Sequence, residues 1–470
     1  MSNRQFHFRC IIGTILFIGA ACADKKATMP SDSIAPASVA DLEANSPSAH
    51  SIILTWTAPG DDGNEGTAAQ YDIRYFPQVI TDVNWDSAAQ APGLPTPGQA
   101  GGAELFTVAG LSSECRHYFA LKTADEKPGW SGLSNVPSES TLTEGAGYWS
   151  PLGPGFNARV EALTVYGAEL VAGGAFMMSG EAMAPRVAAW HDTAWSSVGS
   201  GITGMNGVAQ SVIVYDNRLV AGGRFGGMNG NVSAWDGNSW MALGSGANDT
   251  VWNLEIYDSK LIAGGSFTTA GGNQSNHIAS WDGVSWGALG DGIDGDVYAL
   301  ALFNGMLIVG GAFSSAGGQA VNNIAAWNGN SWSALGSGIE GAAAEIRALM
   351  TYNGQLVIGG AFSDAGGITA ANLASWDGAS WSAIGSGTDS AVYALGVFGN
   401  ELILGGAFET SGGIPAHSIA AWNGVSWRPL GTGVNGIVRR IYPFGSGLVA
   451  GGDFNQAGGV DAANIAIWIE

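Results

Sequence analysis

The sequence predicts an all-β chain: a region of short strands, then a sevenfold array of four-stranded units. Three observations carry that reading. Tryptophan recurs at Trp190, Trp235, Trp281, Trp327, Trp376, Trp422 and Trp468, every 45 to 49 residues. A Gly-Gly-x-Phe element recurs as often, its aromatic at Phe176, Phe225, Phe267, Phe313, Phe362, Phe408 and Phe454. Glycine and β-branched residues interrupt every window long enough for a helix. The 74 glycines show no Gly-X-Y period, which excludes collagen.

The N-terminus reads as a leader. MSNRQFHFR carries Arg4 and Arg9, and CIIGTILFIGAAC supplies an apolar run too short for a comfortable membrane span. This is the pattern of a secretory signal peptide over 1–22. Gly19-Ala20-Ala21-Cys22 resembles a bacterial lipobox with Cys22 as the acylated residue, although Gly19 stands where leucine is usual. Ala21-Cys22-Ala23 also satisfies the small-x-small rule for ordinary cleavage, which would leave Asp24 as the new N-terminus. The expected location is the cell envelope or the exterior of a bacterium, with Cys22 the means of lipid anchoring. Beyond Cys10 and Cys22 only Cys115 remains. An intramolecular disulfide framework and a cysteine zinc site are therefore excluded. Lys and Arg number 17 against 39 Asp and Glu, a formal net charge of −22. That balance argues against nucleic acid or an anionic membrane surface as partner.

Residues 23–35 are polar and read as a tether. From 36 to 143, runs such as SIILTWTAPG, YDIRYF, AELFTVAGL and HYFALKTAD alternate and are separated by turn signals, as in a β-sandwich of about a hundred residues. The region resembles a bacterial fibronectin type III domain. Leu54-Thr55-Trp56-Thr57-Ala58-Pro59, Tyr71 to Tyr75, Leu111, Tyr118 to Leu121 and Trp130-Ser131 carry the resemblance, which implies that Trp56 is the core tryptophan of the second strand. His117 stands where the family places its corner tyrosine and reads as a packed substitute. Asp61, Asp62 and Glu65 lie in a Gly-rich loop without EF-hand spacing, the pattern of a solvated turn.

Within the array, a full unit reads VYALALFNGMLIVGGAFSSAGGQAVNNIAAWNGNSWSALGSG. It holds four strand-like runs, with FNG- and WNG-type turns that tolerate positive φ. The glycine pair inside the second strand makes sense where another backbone approaches closely. Four antiparallel strands in about 46 residues is the size of a β-propeller blade. The array, 147–470, resembles kelch-type propellers and the Gly-rich propeller repeats of microbial surface proteins. Fourth strands fall at Trp149, Trp195, Trp240, Trp286, Trp332, Trp381 and Trp427, so the first precedes any complete unit, whereas the last third strand ends at Trp468. The expected fold is thus a fibronectin type III sandwich plus a seven-bladed propeller closed by the strand in GYWSPLGPG, Gly147 to Gly155, pairing into the last blade.

No catalytic constellation is evident, and no cofactor is implied. His277 and His417 occupy places held elsewhere by Asn323, Asn372 and Asn464, and read as turn residues. Copper-radical chemistry on kelch propellers needs cysteine, which the array lacks. The turns at Ser280 and Ser375 look like sialidase Asp-boxes one residue short. Sialidases also need an arginine cluster, and the array holds only Arg159, Arg186, Arg218, Arg224, Arg347, Arg428, Arg439 and Arg440. The second-to-third-strand loops and the connections between units are the expected recognition face. There Asp291, Asp294 and Asp296 form the densest carboxylate group and are candidate calcium ligands. The expected function is non-catalytic binding or adhesion toward polysaccharide or protein outside the cell. A glycan-active hydrolase or lyase and a structural surface component without ligand are the alternatives.

Overall fold

A computed structural model describes residues 34–45, 51–125, 129–141, 147–202, 207–225, 230–341 and 343–470. The protein is all-β, its one helical turn being Trp85–Ser87 among the described residues. Among the described residues all strand ladders are antiparallel, a single bridge between Pro36 and Gly63 being parallel.

The first region forms two sheets. One orders Glu43–Asn45, Ser51–Thr57 and Ala103–Ala109; the other orders Ala89–Gln90, Gln70–Phe76, Arg116–Ala124 and Ser138–Ser140. Alternate residues Ile52, Leu54 and Trp56 face Tyr71, Ile73, Phe119 and Leu121 in a shared core. Trp56 stands edge-on to Tyr71, ring centroids 5.2 Å apart. His117 is buried, lies on the side of Phe119, and places Nε2 3.5 Å from the Ser112 carbonyl. It reaches back along the chain much as a corner tyrosine hydroxyl does. In the acidic loop, Asp62 and Glu65 pair through their backbones and Asp61 accepts from the Asp62 N–H, which is ordinary turn bonding.

The rest forms seven four-stranded sheets. The fourth is representative, with strands Asp296–Phe303, Met306–Ala312, Ile324–Trp327 and Trp332–Ala334 in chain order. The seventh differs. It takes Ile437–Phe444, Gly447–Asp453 and Ile465–Ile469 from the end of the chain and Tyr148–Pro151 from the start of the array, with Trp468 opposite Trp149. First strands of successive sheets pack side by side, and that of the seventh packs on that of the first.

Two devices join the sheets. In every sheet the tryptophans of the third and fourth strands face each other, with ring centroids 4.8 to 5.8 Å apart. The fourth-strand indole then donates to a carbonyl of the preceding sheet, as Trp332 does to Leu289 at 3.0 Å and Trp149 to Leu430 at 2.8 Å. Trp427 breaks this pattern; its buried Nε1 has no acceptor among the described residues. The first glycine of each Gly-Gly pair faces the next sheet. A Cβ on Gly310 would lie 2.5 Å from Ile346 Cγ2, and one on Gly451 would lie 2.6 Å from Val160 Cγ1.

The segment after Gly-Gly-x-Phe, read from sequence as a variable loop, is instead a small ribbon. Ser315–Ala316 pairs with Gln319–Ala320 around Gly317 and Gly318, at φ 55° and 75°. Two successive positive φ values make the hairpin turn that glycine pairs favour.

Candidate functional site

The site begins as a register error repeated seven times. Between the first and second strands of every sheet the pairing slips by one residue at the same place. One extra residue on the first strand is left unpaired opposite the glycine pair, a β-bulge that re-aims its side chain. The second glycine is what admits it, because a Cβ on Gly311 would lie 2.0 Å from the Asp296 carbonyl oxygen. The bulged residues are Glu161, Gln210, Trp252, Tyr298, Arg347, Tyr393 and Arg439. All seven line one cavity of about 250 Å³, joined there by Arg159 and Arg440. A second cavity of about 320 Å³ shares Arg347 and Arg440 and takes in Ser211, Asn253 and Glu255 farther along the first strands.

Arginine and aromatic side chains dominate the first cavity. The Arg347 guanidinium lies 3.9 Å from the centroid of Tyr298 and donates to both carboxylate oxygens of Glu345, at 2.8 and 2.7 Å. Trp252 stands edge-on to Tyr298 with centroids 5.7 Å apart, its Nε1 donating to Ser266 Oγ at 2.8 Å. The Tyr298 hydroxyl donates to Asp296 at 3.1 Å. Burial, with the Asp296 charge added, pushes the Tyr298 phenol up to about 12. Arg439 donates to Asp453 at 2.9 and 2.7 Å and lies 3.9 Å from Glu161, whose carboxylate also accepts from Arg159. Burial opposes the Arg439 cation, but Glu161 and Asp453 outweigh it and hold its pKa up.

Arg440 is different. Among the described residues its guanidinium has no hydrogen-bond or ion-pair partner, while burial pulls its pKa down and Glu161 offsets only part of that. An arginine stays charged regardless. Glu255, in the second cavity, is pushed up by burial and accepts from the Ile256 N–H.

The carboxylates nominated from sequence do other work. Asp294 accepts from the backbone N–H groups of Ser314 and Ser315 at 2.9 and 2.8 Å and from Ser314 Oγ at 2.7 Å. The same bonds are made by Asn157, Asn248, Asp389 and Asn435 in other units. A place filled by asparagine as readily as aspartate needs an acceptor, not a charge, so Asp294 fastens a connection to the ribbon beside it. Asp291 accepts from Asn276 through its backbone carbonyl. Asp296 serves Tyr298 and lies 3.7 Å from His277 Nδ1. Among the described residues no group of three or more His, Cys, Asp or Glu, the expected calcium ligands Asp291, Asp294 and Asp296 included, is placed to hold a metal. Cys22 lies outside the described residues.

The turn readings have a geometric basis. His277 and His417 adopt φ of 61° and 44°, as Asn323, Asn372 and Asn464 adopt 62° to 65°. In the Asp-box-like turn, Asp282 accepts from the N–H groups of Val284 and Ser285 at 2.8 and 2.7 Å, and Asn328 does the same for its own turn. What sequence reasoning missed is that four of the array's eight arginines converge. The available signal was the residue after a valine or isoleucine near the start of six of the seven first strands, as in VYAL, IRAL and VRRI, which finds Arg347 and Arg439 but neither Arg159 nor Arg440.

No protein-family model matches the chain, and no curated protein does. Among solved structures, a chain of titin domains A168–A170 is 20% identical, over 23% of this chain and 33% of that one, at a TM-score of 0.18. A structure described as FN3tt mut is 19% identical over 23% of this chain and 98% of that one, at 0.15. The FN1–FN3 domains of chicken CNTN1 are 12% identical over 49% of this chain and 75% of that one, at 0.19. The match to the titin chain therefore spans a third of that chain's length.

Proposed function

We propose that this is an exported, non-catalytic binding protein: a fibronectin type III domain over 36–143 leads into a seven-bladed β-propeller over 147–470 that takes polysaccharide at its central opening. The observation that carries this reading is the convergence of seven bulged side chains, one from each sheet, on a single cavity. A concave site with fixed polar groups and aromatic walls is the usual form of a small-ligand site. The packing of the seventh first strand on the first, and the pairing of Trp149 with Trp468, support ring closure by the strand at 148–151.

The chemistry favours holding over turnover. Glu161 is tied up by Arg159, and the Tyr298 hydroxyl stays protonated at neutral pH, so neither is a free nucleophile or base. Glycan-array binding of the purified chain, lost on Trp252→Ala and without release of sugar products, tests the function. Sugar release abolished by Glu161→Gln would replace it with a hydrolase.

Export and acylation at Cys22 complete the proposal. Mass spectrometry of the mature N-terminus tests them, and an unmodified start at Asp24 would refute the anchor.

A further inference from the structure

Resting on the reading of the cavity as a binding site, we propose that its ligand carries a single carboxylate, seated on Arg440, on a ring the size of one hexuronic acid. The argument is a count of direct partners. Four guanidinium groups line the first cavity. Arg159 is answered by Glu161, Arg347 by Glu345 and Arg439 by Asp453. Each pair is close enough to cancel within the site. Arg440 is left over: among the described residues no carboxylate pairs with it directly, and Glu161 acts on it only from a distance.

Arg440 is half-buried, so its guanidinium keeps donors facing open space that an anionic ligand can take up. The lack of a partner is the more telling in a chain of net charge −22, which had many carboxylates available. A planar guanidinium with all its donors free fits a carboxylate in bidentate fashion. Size sets the rest. About 250 Å³ lies below the range for drug-sized ligands and accommodates one ring with its substituents. Trp252 and the two tyrosines give the wall beside it both apolar surface and hydroxyls. Arg347 and Arg440 line both cavities, so a carboxylate on Arg440 sits where the two spaces meet.

The test uses the full chain with D-glucuronate and its neutral counterpart D-glucose, read by isothermal titration and indole fluorescence. Glucuronate is expected to bind at least about tenfold more tightly than glucose, a preference that falls as salt rises. Arg440→Gln is expected to abolish the preference, Arg440→Lys to restore part of it, and Arg218→Gln to leave it intact. Thermal stability of Arg440→Gln should equal or exceed that of the parent, because an unpaired cation has been removed; should that variant not fold, Arg440→Lys carries the comparison. Equal binding of the two sugars, insensitive to Arg440, would overturn the carboxylate inference and leave the binding site standing. So would absence of glucuronate binding in a protein that still captures polysaccharide. Glucuronate binding without polysaccharide capture would retain the inference and overturn the earlier reading instead.

Discussion

Replacing Trp149 by alanine should weaken the far end of the chain. The indole is 1% exposed, packs 5.5 Å from the Trp468 ring and donates to the Leu430 carbonyl at 2.8 Å. A buried tryptophan covers about 150–250 Å², which at about 25 cal/mol/Å² corresponds to about 4–6 kcal/mol. Truncation to alanine keeps the Cβ but leaves a cavity and an unanswered carbonyl, so a loss of about 3–5 kcal/mol is expected. With a urea m-value of about 2–3 kcal/mol/M, the midpoint should fall by about 1–2.5 M. Hydrogen exchange adds location: amides in 437–469 should lose protection together with those in 148–151. A midpoint that stays put, or protection lost only around 147–155, would refute the idea that this strand completes the seventh sheet energetically.

Other expectations follow from the same geometry. Gly264→Val should destabilise by about 1–3 kcal/mol, because a Cβ there lies 2.4 Å from Val297 Cγ1, whereas Gly272→Ala should show only the strain of its φ of 81°. Asp294→Asn should be nearly silent in thermal melts and Asp294→Ala should cost about 1–2 kcal/mol, while added calcium shifts neither; a calcium-dependent melting temperature would restore the metal site. Tyr71 and Tyr298 are each pushed up to about 12 by burial, so the unfolded chain gives up these protons first, near pH 10. Their contribution to stability is full below about pH 10 and is lost between about pH 10 and 12; Tyr298→Phe should flatten that part of the pH profile, and an unchanged slope would contradict the assignment.

The array was legible because its devices are local and repeated. A tryptophan facing a tryptophan across a tight turn, or a glycine forced by a neighbour's methyl group, leaves the same mark at the same interval. Trp149 was legible as a displaced fourth strand for that reason, and it pairs with residues 465–469. The cavity was not legible, because it is built from one residue per sheet and those residues differ: glutamate, glutamine, tryptophan, tyrosine and arginine fill one structural position. Sequence proximity misled at Asp291, Asp294 and Asp296, neighbours in the chain that face different partners. It also hid Arg159, which joins Arg439 at Glu161 from the opposite end of the array.

The pairing of Tyr148–Pro151 with Ile465–Ile469 also sets an order of events. During synthesis the strand at 148–151 emerges early and has no partner until the last residues of the array follow it, at a sequence separation that makes this contact among the slowest to form. Until then, both it and the Gly447–Asp453 edge are open to other chains. A product stopped short of residue 465 therefore keeps two open edges, whereas one that includes 465–469 buries both in a single step.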